Sequence, residues 1–432
     1  MPSEESNKST ASHSSCSSCV SESSTVVYSH ETYATFESRV HELCRLLWPS
    51  AAEDESFEVE RLKGGSFNRV IGIKTPPSTG EAQGSYILRI PRFEIAQQQR
   101  EIAILRYVRQ QTSIPTTEVI FSDSTTENPL NEPYMIQTRI PGQSLQDIYP
   151  TLNHEQKRAI AKQWGQILLS QRTVRNDSPG IVHATPDQDG TIVFAIHPYN
   201  VDSEQQPDPA DVPLSPAQSV LELFVTQFER WEAAHIRSSR APASAFRPDH
   251  HDRLIAVAKD MDAAGFFKDT SFTLCHLDLY PRNVMVDIQS DGAAKITGVL
   301  DWDSAVFAPD FVVCAPPSWI WAWKDDDDEP LDEAEIIPAN PEDQALKLDF
   351  EEVVGNELRD FFYAPQYRMA RRLFDIAIEG IRSNIAFEEA QELIKDWADF
   401  QTTATGPLPE VEADLSGLHV SSTEDDDAQS AD

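Results

Sequence analysis

His276-Leu-Asp278-Leu-Tyr-Pro-Arg-Asn283-Val-Met-Val286 is followed, past a turn at Asp291-Gly292, by Gly298-Val-Leu-Asp301-Trp-Asp303. Apolar runs of strand character flank the turn, so the pattern predicts a short hairpin that brings Asp278, Asn283 and Asp301 together. Phosphoryl transfer asks a protein mainly to position reactants and balance charge. It needs a carboxylate near the attacking hydroxyl and oxygen ligands for Mg²⁺. Asp278 is the candidate to accept or orient the acceptor's proton. Asn283 and Asp301 supply the hard oxygen donors that Mg²⁺ prefers. Asp303 is either a further metal contact or the cap of the following turn.

Upstream, three short runs rich in β-branched residues, Phe57 to Leu62, Asn68 to Ile73 and Tyr86 to Ile90, predict strands separated by turn residues. A helix is expected from about Phe93 to Gln110, then strands near Thr117 to Phe121 and Pro133 to Arg139. The order β-β-β-α-β-β describes a small mixed lobe closing at Pro141-Gly142. Before it, Phe36, Val40, Leu43 and Leu47 recur at helical spacing between Tyr33 and Trp48. Beyond Gln143 the pattern predicts helices over 153–171, 216–236, 250–263, 343–361, 368–383 and 387–400, with one β-rich interruption at 272–307. The expected organisation is a disordered Ser-rich tail (1–27), a helical segment (28–55), a small lobe (56–142), a helical lobe (143–410) and an acidic disordered tail (411–432).

The chain has 432 residues, and 35 Lys+Arg against 71 Asp+Glu leave a net charge of −36. Counterion release requires clustered basic side chains, so nucleic acid is excluded as a primary partner. The most apolar window, Phe311 to Trp323, is shorter than the about 20 residues a membrane helix needs and is interrupted by Pro316-Pro317. No membrane association is expected, and the Ser-rich start lacks a secretory pattern, so the reading is cytoplasmic. The five cysteines are dispersed and expected as free thiols. Cys16 and Cys19 have zinc-like spacing but lack the second pair that a structural site requires.

The constellation resembles the aminoglycoside phosphotransferase and choline-kinase branch of the protein-kinase-like fold, in a form similar to many fungal proteins. The resemblance implies an α+β architecture of two lobes, a small β-rich amino-terminal one and a larger, mainly helical carboxy-terminal one. Carried over by position, Asp278 matches the catalytic Asp, Asn283 the metal-ligand Asn, and Asp301 the Asp that begins Asp-Phe-Gly in typical protein kinases. Trp302-Asp303 replaces Phe-Gly. His276 joins the catalytic candidates, with bracing of the loop by hydrogen bonds as its commoner role. Gly64-Gly65-Ser66-Phe67-Asn68 resembles the nucleotide-covering loop, a plain hairpin turn being the alternative; glycines there allow close approach of backbone to phosphate.

Arg89, on the third strand, stands where the family usually has lysine, and Glu101 is its expected helix partner; Lys74 and Glu94 are the alternatives. The segment joining the lobes would read the adenine edge through the carbonyl of Thr138 and the amide of Ile140. The implied cofactors are ATP and Mg²⁺, and the implied reaction moves the γ-phosphoryl group to a hydroxyl of a small molecule. A negative pocket would favour a cationic acceptor. Trp319, Trp321 and Trp323 could wall such a pocket or pack as core. After Asp303 the chain lacks the Ala-Pro-Glu signature of protein kinases, which argues against a protein substrate. Two other readings stand beside this one. The first is a nucleotide-binding regulatory protein without turnover, motivated by Arg89. The second is a metal-dependent hydrolase using His276, Asp278, Asp301 and Asp303.

Overall fold

The computed structural model describes residues 33–49, 57–62, 68–77, 84–92, 95–186, 192–201, 213–237, 250–324 and 337–405. The expected tails and the turn residues Gly64, Gly65 and Ser66 lie outside the described residues. The first helix, α1 (Tyr33–Leu47), buries Phe36, Val40, Leu43 and Cys44, the i, i+4, i+7, i+8 stripe that helical spacing dictates. That stripe joins the core beneath the small-lobe sheet, with Ile71, Ile73, Leu88 and Ile136.

The sheet comprises β1 (Glu58–Arg61), β2 (Asn68–Lys74) and β3 (Ser85–Pro91). After helix α2 (Ile95–Gln111) come β4 (Val119–Asp123) and β5 (Tyr134–Thr138). The expected order is observed, as an antiparallel sheet β1-β2-β3-β5-β4. Central strand β3 alternates inward Leu88 and Ile90 with the outward Arg89, the period of 2 that puts one charged residue on the crevice face. Helix α2 follows a different allegiance. Its Ile104, Leu105 and Val108 belong to the core of the large lobe. Tyr107 on it lies edge-on to Phe194 and Phe307, with centroids at 5.1 and 5.9 Å.

Past the joining segment come β6 (Gln143–Ser144), a short α3 (Leu145–Ile148) and the long α4 (His154–Thr173). Helix α4 opens on a capping box, Asn153 bonding Gln156 N–H while the Gln156 side chain bonds back. Next are β7 (Arg175–Asn176), β8 (Gly180–Pro186) and β9 (Ile192–His197), then α5 (Val220–Arg237) and α6 (His250–Ala263). The β-rich centre holds β10 (Phe272–Cys275), β11 (Val284–Ile288), β12 (Ala294–Val299) and β13 (Val306–Pro309), followed by the short α7 (Asp310–Val313). Four helices complete the described chain: α8 (Pro341–Val354), α9 (Arg359–Tyr363), α10 (Pro365–Glu379) and α11 (Asn384–Thr405).

Two expectations need correction. The large lobe is not helical with a single β interruption: β8 and β9 form a further hairpin, and five strands make a second sheet in the order β7-β10-β13-β8-β9. The helix expected over 343–361 is two pieces, because α8 ends at Gly355, whose φ of 81° leaves helical space. Among the described residues no helix is long and apolar enough to cross a membrane.

Candidate active site

Strand β10 ends in the fully buried Cys275, whose thiol pKa burial raises beyond the range where a thiolate forms, so a nucleophile is not expected there. The chain then turns sharply. Leu277 adopts φ +59°, and the side chain of Asp278, the next residue, is 29% exposed. His276 beneath it is buried, and both ring nitrogens are engaged. The backbone N–H of Asp278 donates to Nδ1 at 3.3 Å, which leaves the ring proton on Nε2, 2.8 Å from the carbonyl oxygen of Leu300. Burial lowers the His276 pKa, in keeping with a neutral ring. With both nitrogens engaged by backbone groups, the ring is placed as a brace of the loop, the commoner of the two expected roles.

Asn283 closes the same loop. Its Nδ2 donates to the Asp278 carbonyl at 2.9 Å and to Asp278 Oδ2 at 2.7 Å. Its backbone carbonyl accepts from Leu300 N–H at 2.7 Å, so the backbone of Leu300, through its N–H here and its C=O at His276, joins the Asp278 loop to the Asp301 segment. Strands β11 and β12 pair from Val284↔Val299 to Ile288↔Ala294, the hairpin that the spacing predicts. Asp301 sits in left-handed space at φ 61°, ψ 52°. Strain of this kind persists where the surroundings over-determine it, and here Trp302 does so. Its buried ring lies 4.6 Å from that of His276, and its Nε1 donates to Val299 O at 3.1 Å.

Arg89 meets this hairpin from the small lobe. Its Nη1 is 2.7 Å from Glu101 Oε1 on α2, and its Nη2 is 3.3 Å from Asp301 Oδ1. One guanidinium thus links the sheet, the helix and the hairpin. Lys74 instead pairs with Glu58 on the neighbouring strand, away from Glu101. Burial works against the Arg89 charge, but Glu101 and Asp301 outweigh it and raise its pKa. For Glu101 burial wins over Arg89, and its carboxyl is pushed up to about 7. Asp303 accepts from Ser304 Oγ at 3.2 Å and lies within electrostatic reach of Arg89 and Arg100.

The joining segment leaves β5 at Thr138, whose N–H donates to Glu118 O. It is then fastened to the hairpin. Thr297 Oγ1 donates to Pro141 O at 2.6 Å. Gly142 has φ +105°, and a Cβ there would lie 2.3 Å from Val286 O; a Cβ on Gly298 would lie 2.1 Å from Ile140 Cδ1. Only residues without side chains permit so close a crossing. Asn68 sits at the first position of β2, paired with Pro91.

Trp319 and Trp321 are buried. Trp319 packs against Tyr149 and Trp164, with centroids at 5.2 and 4.8 Å, so these indoles are core of the large lobe, and Trp323 stacks on Tyr149 at 4.7 Å. Sequence reading missed Gln171, whose fully buried Oε1 accepts the His276 N–H at 2.9 Å. Its signal is a polar residue on the apolar stripe Trp164, Ile167, Leu168. Arg282 was missed as well; its Nη2 donates to Asp278 Oδ1.

Comparison with known proteins gives a family match over residues 58–343, to the Phosphotransferase enzyme family. A curated relative, a subtelomeric hrmA-associated cluster protein of Aspergillus fumigatus, is 23% identical over 324 residues, 62% of this chain. The aligned part spans 61% of that relative's length. Among solved structures, a ternary complex of the aminoglycoside phosphotransferase APH(4)-Ia with AMP-PNP and hygromycin B is 14% identical, with a TM-score of 0.45 over 83% of this chain and 98% of that one. The GDP complex of aminoglycoside 2'-phosphotransferase-IIIa is 12% identical, with a TM-score of 0.44 over 86% of this chain and 100% of that one.

Proposed function

The chain belongs to the phosphotransferase enzyme family, and from that premise we propose that it moves the γ-phosphoryl group of ATP to a hydroxyl of a small molecule, assisted by Mg²⁺. The observation that carries the reading is the chain of contacts Glu101–Arg89–Asp301, which ties the small lobe to the segment that Leu300 joins to the Asp278 loop. Residues 56–142 would hold the nucleotide, and 143–410 the acceptor.

Asp278 is the proposed base. Its carboxylate is oriented by Asn283, and its backbone by His276 and Gln171, so little reorganisation remains for the moment of transfer. Arg89 is the proposed phosphate ligand. Among the described residues its buried Nε has no hydrogen-bond partner, and a buried donor left unpaired is costly unless a ligand meets it. A planar guanidinium suits two phosphate oxygens. Glu101 holds it in place. Thr138 and Ile140 would present backbone groups to adenine, and Gly64, Gly65, Ser66 and Asn68 would cover the phosphates.

Asn283 and Asp301 fit a magnesium ion: Nδ2 of Asn283 is committed to Asp278, which leaves its oxygen as the donor atom, and the Asp301 side chain is 40% exposed. Asp303 is a third oxygen donor nearby. When bound, the ion would offset phosphate charge, as Mg²⁺ does with one or two carboxylates and waters.

The hydrolase reading fails on geometry. His276 has no nitrogen for a metal, and among the described residues no three His, Cys, Asp or Glu are grouped to hold one. A regulatory protein without turnover loses its motive, since Arg89 keeps both of its partners. The test is ADP release from ATP and Mg²⁺ over a panel of cationic and neutral alcohols. Asp278→Asn should lower turnover by about 10²–10⁴-fold with nucleotide affinity retained. Full turnover in that variant would overturn the assignment.

A further inference from the structure

Arg282 follows Asp278 by four residues, on the 3-10 turn Pro281–Asn283. Its guanidinium donates to Asp278 Oδ1 and stacks 4.5 Å from the ring centroid of Tyr280. Asn283 meanwhile holds Oδ2 at 2.7 Å. Both oxygens of the proposed base are therefore engaged, yet a base must give one of them to the incoming hydroxyl. The two donors differ in how readily they yield. Asn283 is buried, and its Nδ2 also holds the Asp278 carbonyl. The Arg282 side chain is 42% exposed, on a flexible stem, and an exposed ion pair is weakly held.

We propose that Arg282 is a further catalytic residue: its guanidinium holds Asp278 Oδ1 until the acceptor hydroxyl takes its place, and then passes to the transferring phosphoryl group. This rests on the phosphotransfer reading. In the step, the acceptor oxygen forms a bond to the γ-phosphorus. The bond from that phosphorus to the bridging oxygen breaks, and its electron pair leaves on ADP. The acceptor proton goes to Asp278 Oδ1. Negative charge spread over the three equatorial oxygens meets Arg282, whose fork of donors fits planar oxygens better than the point charge of lysine. The Tyr280 ring, itself 39% exposed, is the surface on which the guanidinium pivots, held by cation–π attraction.

The experiment uses the full chain, Arg282→Ala, Arg282→Lys and Asp278→Asn. Calorimetry measures ADP with Mg²⁺, alone and with aluminium fluoride, a mimic of the transferring phosphoryl group. ADP release from ATP is followed with water as acceptor. Wild-type protein should bind ADP more tightly with aluminium fluoride. Arg282→Ala should lose about 10–100-fold of that gain, with affinity for ADP alone within about twofold and kcat lowered without a rise in KM for ATP. Arg282→Lys should restore part of it, since a charge returns without the fork. An unchanged gain in Arg282→Ala, or an equal loss of affinity for ADP alone, overturns the proposal. If Asp278→Asn is inactive while Arg282→Ala turns over at the wild-type rate, this inference alone fails. A wild-type protein that gains nothing from aluminium fluoride and releases no ADP removes the phosphotransfer reading and this inference with it.

Discussion

Replacing Glu101 by glutamine should make the protein more stable at pH 8, although it removes half of a buried ion pair. The Glu101 side chain is 5% exposed and 2.7 Å from Arg89. Even so, burial outweighs that attraction and raises its pKa from 4.5 to about 7. At 1.36 kcal/mol per pH unit, the difference corresponds to about 3 kcal/mol. The sign follows from linkage. The folded state binds the proton more tightly than the unfolded one, so the contribution is fully present below pH 4.5 and is lost as pH rises through about 7. Glutamine has the shape of the protonated acid and does not titrate. Urea unfolding of both proteins at pH 5, 6, 7 and 8 reads the titration of Glu101 together with the Arg89, Asp301 and Asp303 charges coupled to it. The variant should lead by about 1 kcal/mol at pH 5 and by about 3 kcal/mol at pH 8. A wild-type protein that gains on the variant as pH rises would show Arg89 outweighing burial, and the reasoning would be wrong. Buried ion pairs are weak sources of stability; here the pair keeps Arg89 where phosphates are proposed to bind.

At Gly142, alanine should cost about 2 kcal/mol or more, because both the left-handed φ of 105° and the 2.3 Å approach to Val286 O oppose a side chain; thermal unfolding measures it. A Cβ on Gly298 meets only the Ile140 side chain, with Cδ1, Cγ2 and Cγ1 at 2.1, 2.8 and 3.1 Å, so pairing Gly298→Ala with Ile140→Ala should recover much of the lost stability; a double-mutant cycle with no coupling would contradict the crossing described. Asp349 bonds Arg158 and Lys162 at 2.5 and 3.1 Å. Burial opposes its charge, but these partners prevail and lower its pKa. Asp349→Asn should therefore cost about 1 kcal/mol at neutral pH, and the deficit should shrink as pH falls through the folded-state pKa, below the ordinary aspartate value. Acid titration of both proteins by circular dichroism tests it.

The small lobe was legible because each of its strands carries its own period of 2 and is bounded by turn residues. The pairing of Arg89 with Glu101 was implied by the family resemblance, and the hairpin linking Asp278 to Asp301 followed from its own strand and turn pattern, since β geometry fixes where residues of one parity point. The hairpin β8–β9 was not read, although Ile192-Val-Phe-Ala-Ile196 after Asp187-Gln-Asp-Gly190 carries strand and turn signals. Helical blocks on either side dominated that stretch. Nor could periodicity tell which core would receive helix α2: an apolar stripe says that a face is buried, not against what. Arg282 shows a third limit. A charged residue near an aspartate in sequence is ordinary on a protein surface, and only its contacts with Asp278 and Tyr280 mark it.

Helix α2 sits in the small lobe by sequence order, yet Tyr107 and the side chains around it root it in the other half. Any movement of one half against the other should therefore be felt at the Arg89–Glu101 pair, which joins the sheet to a helix rooted in the large half. Structures trapped open and shut would then differ in the span from Arg89 to Glu101 and agree in the span from Glu101 to Asp301.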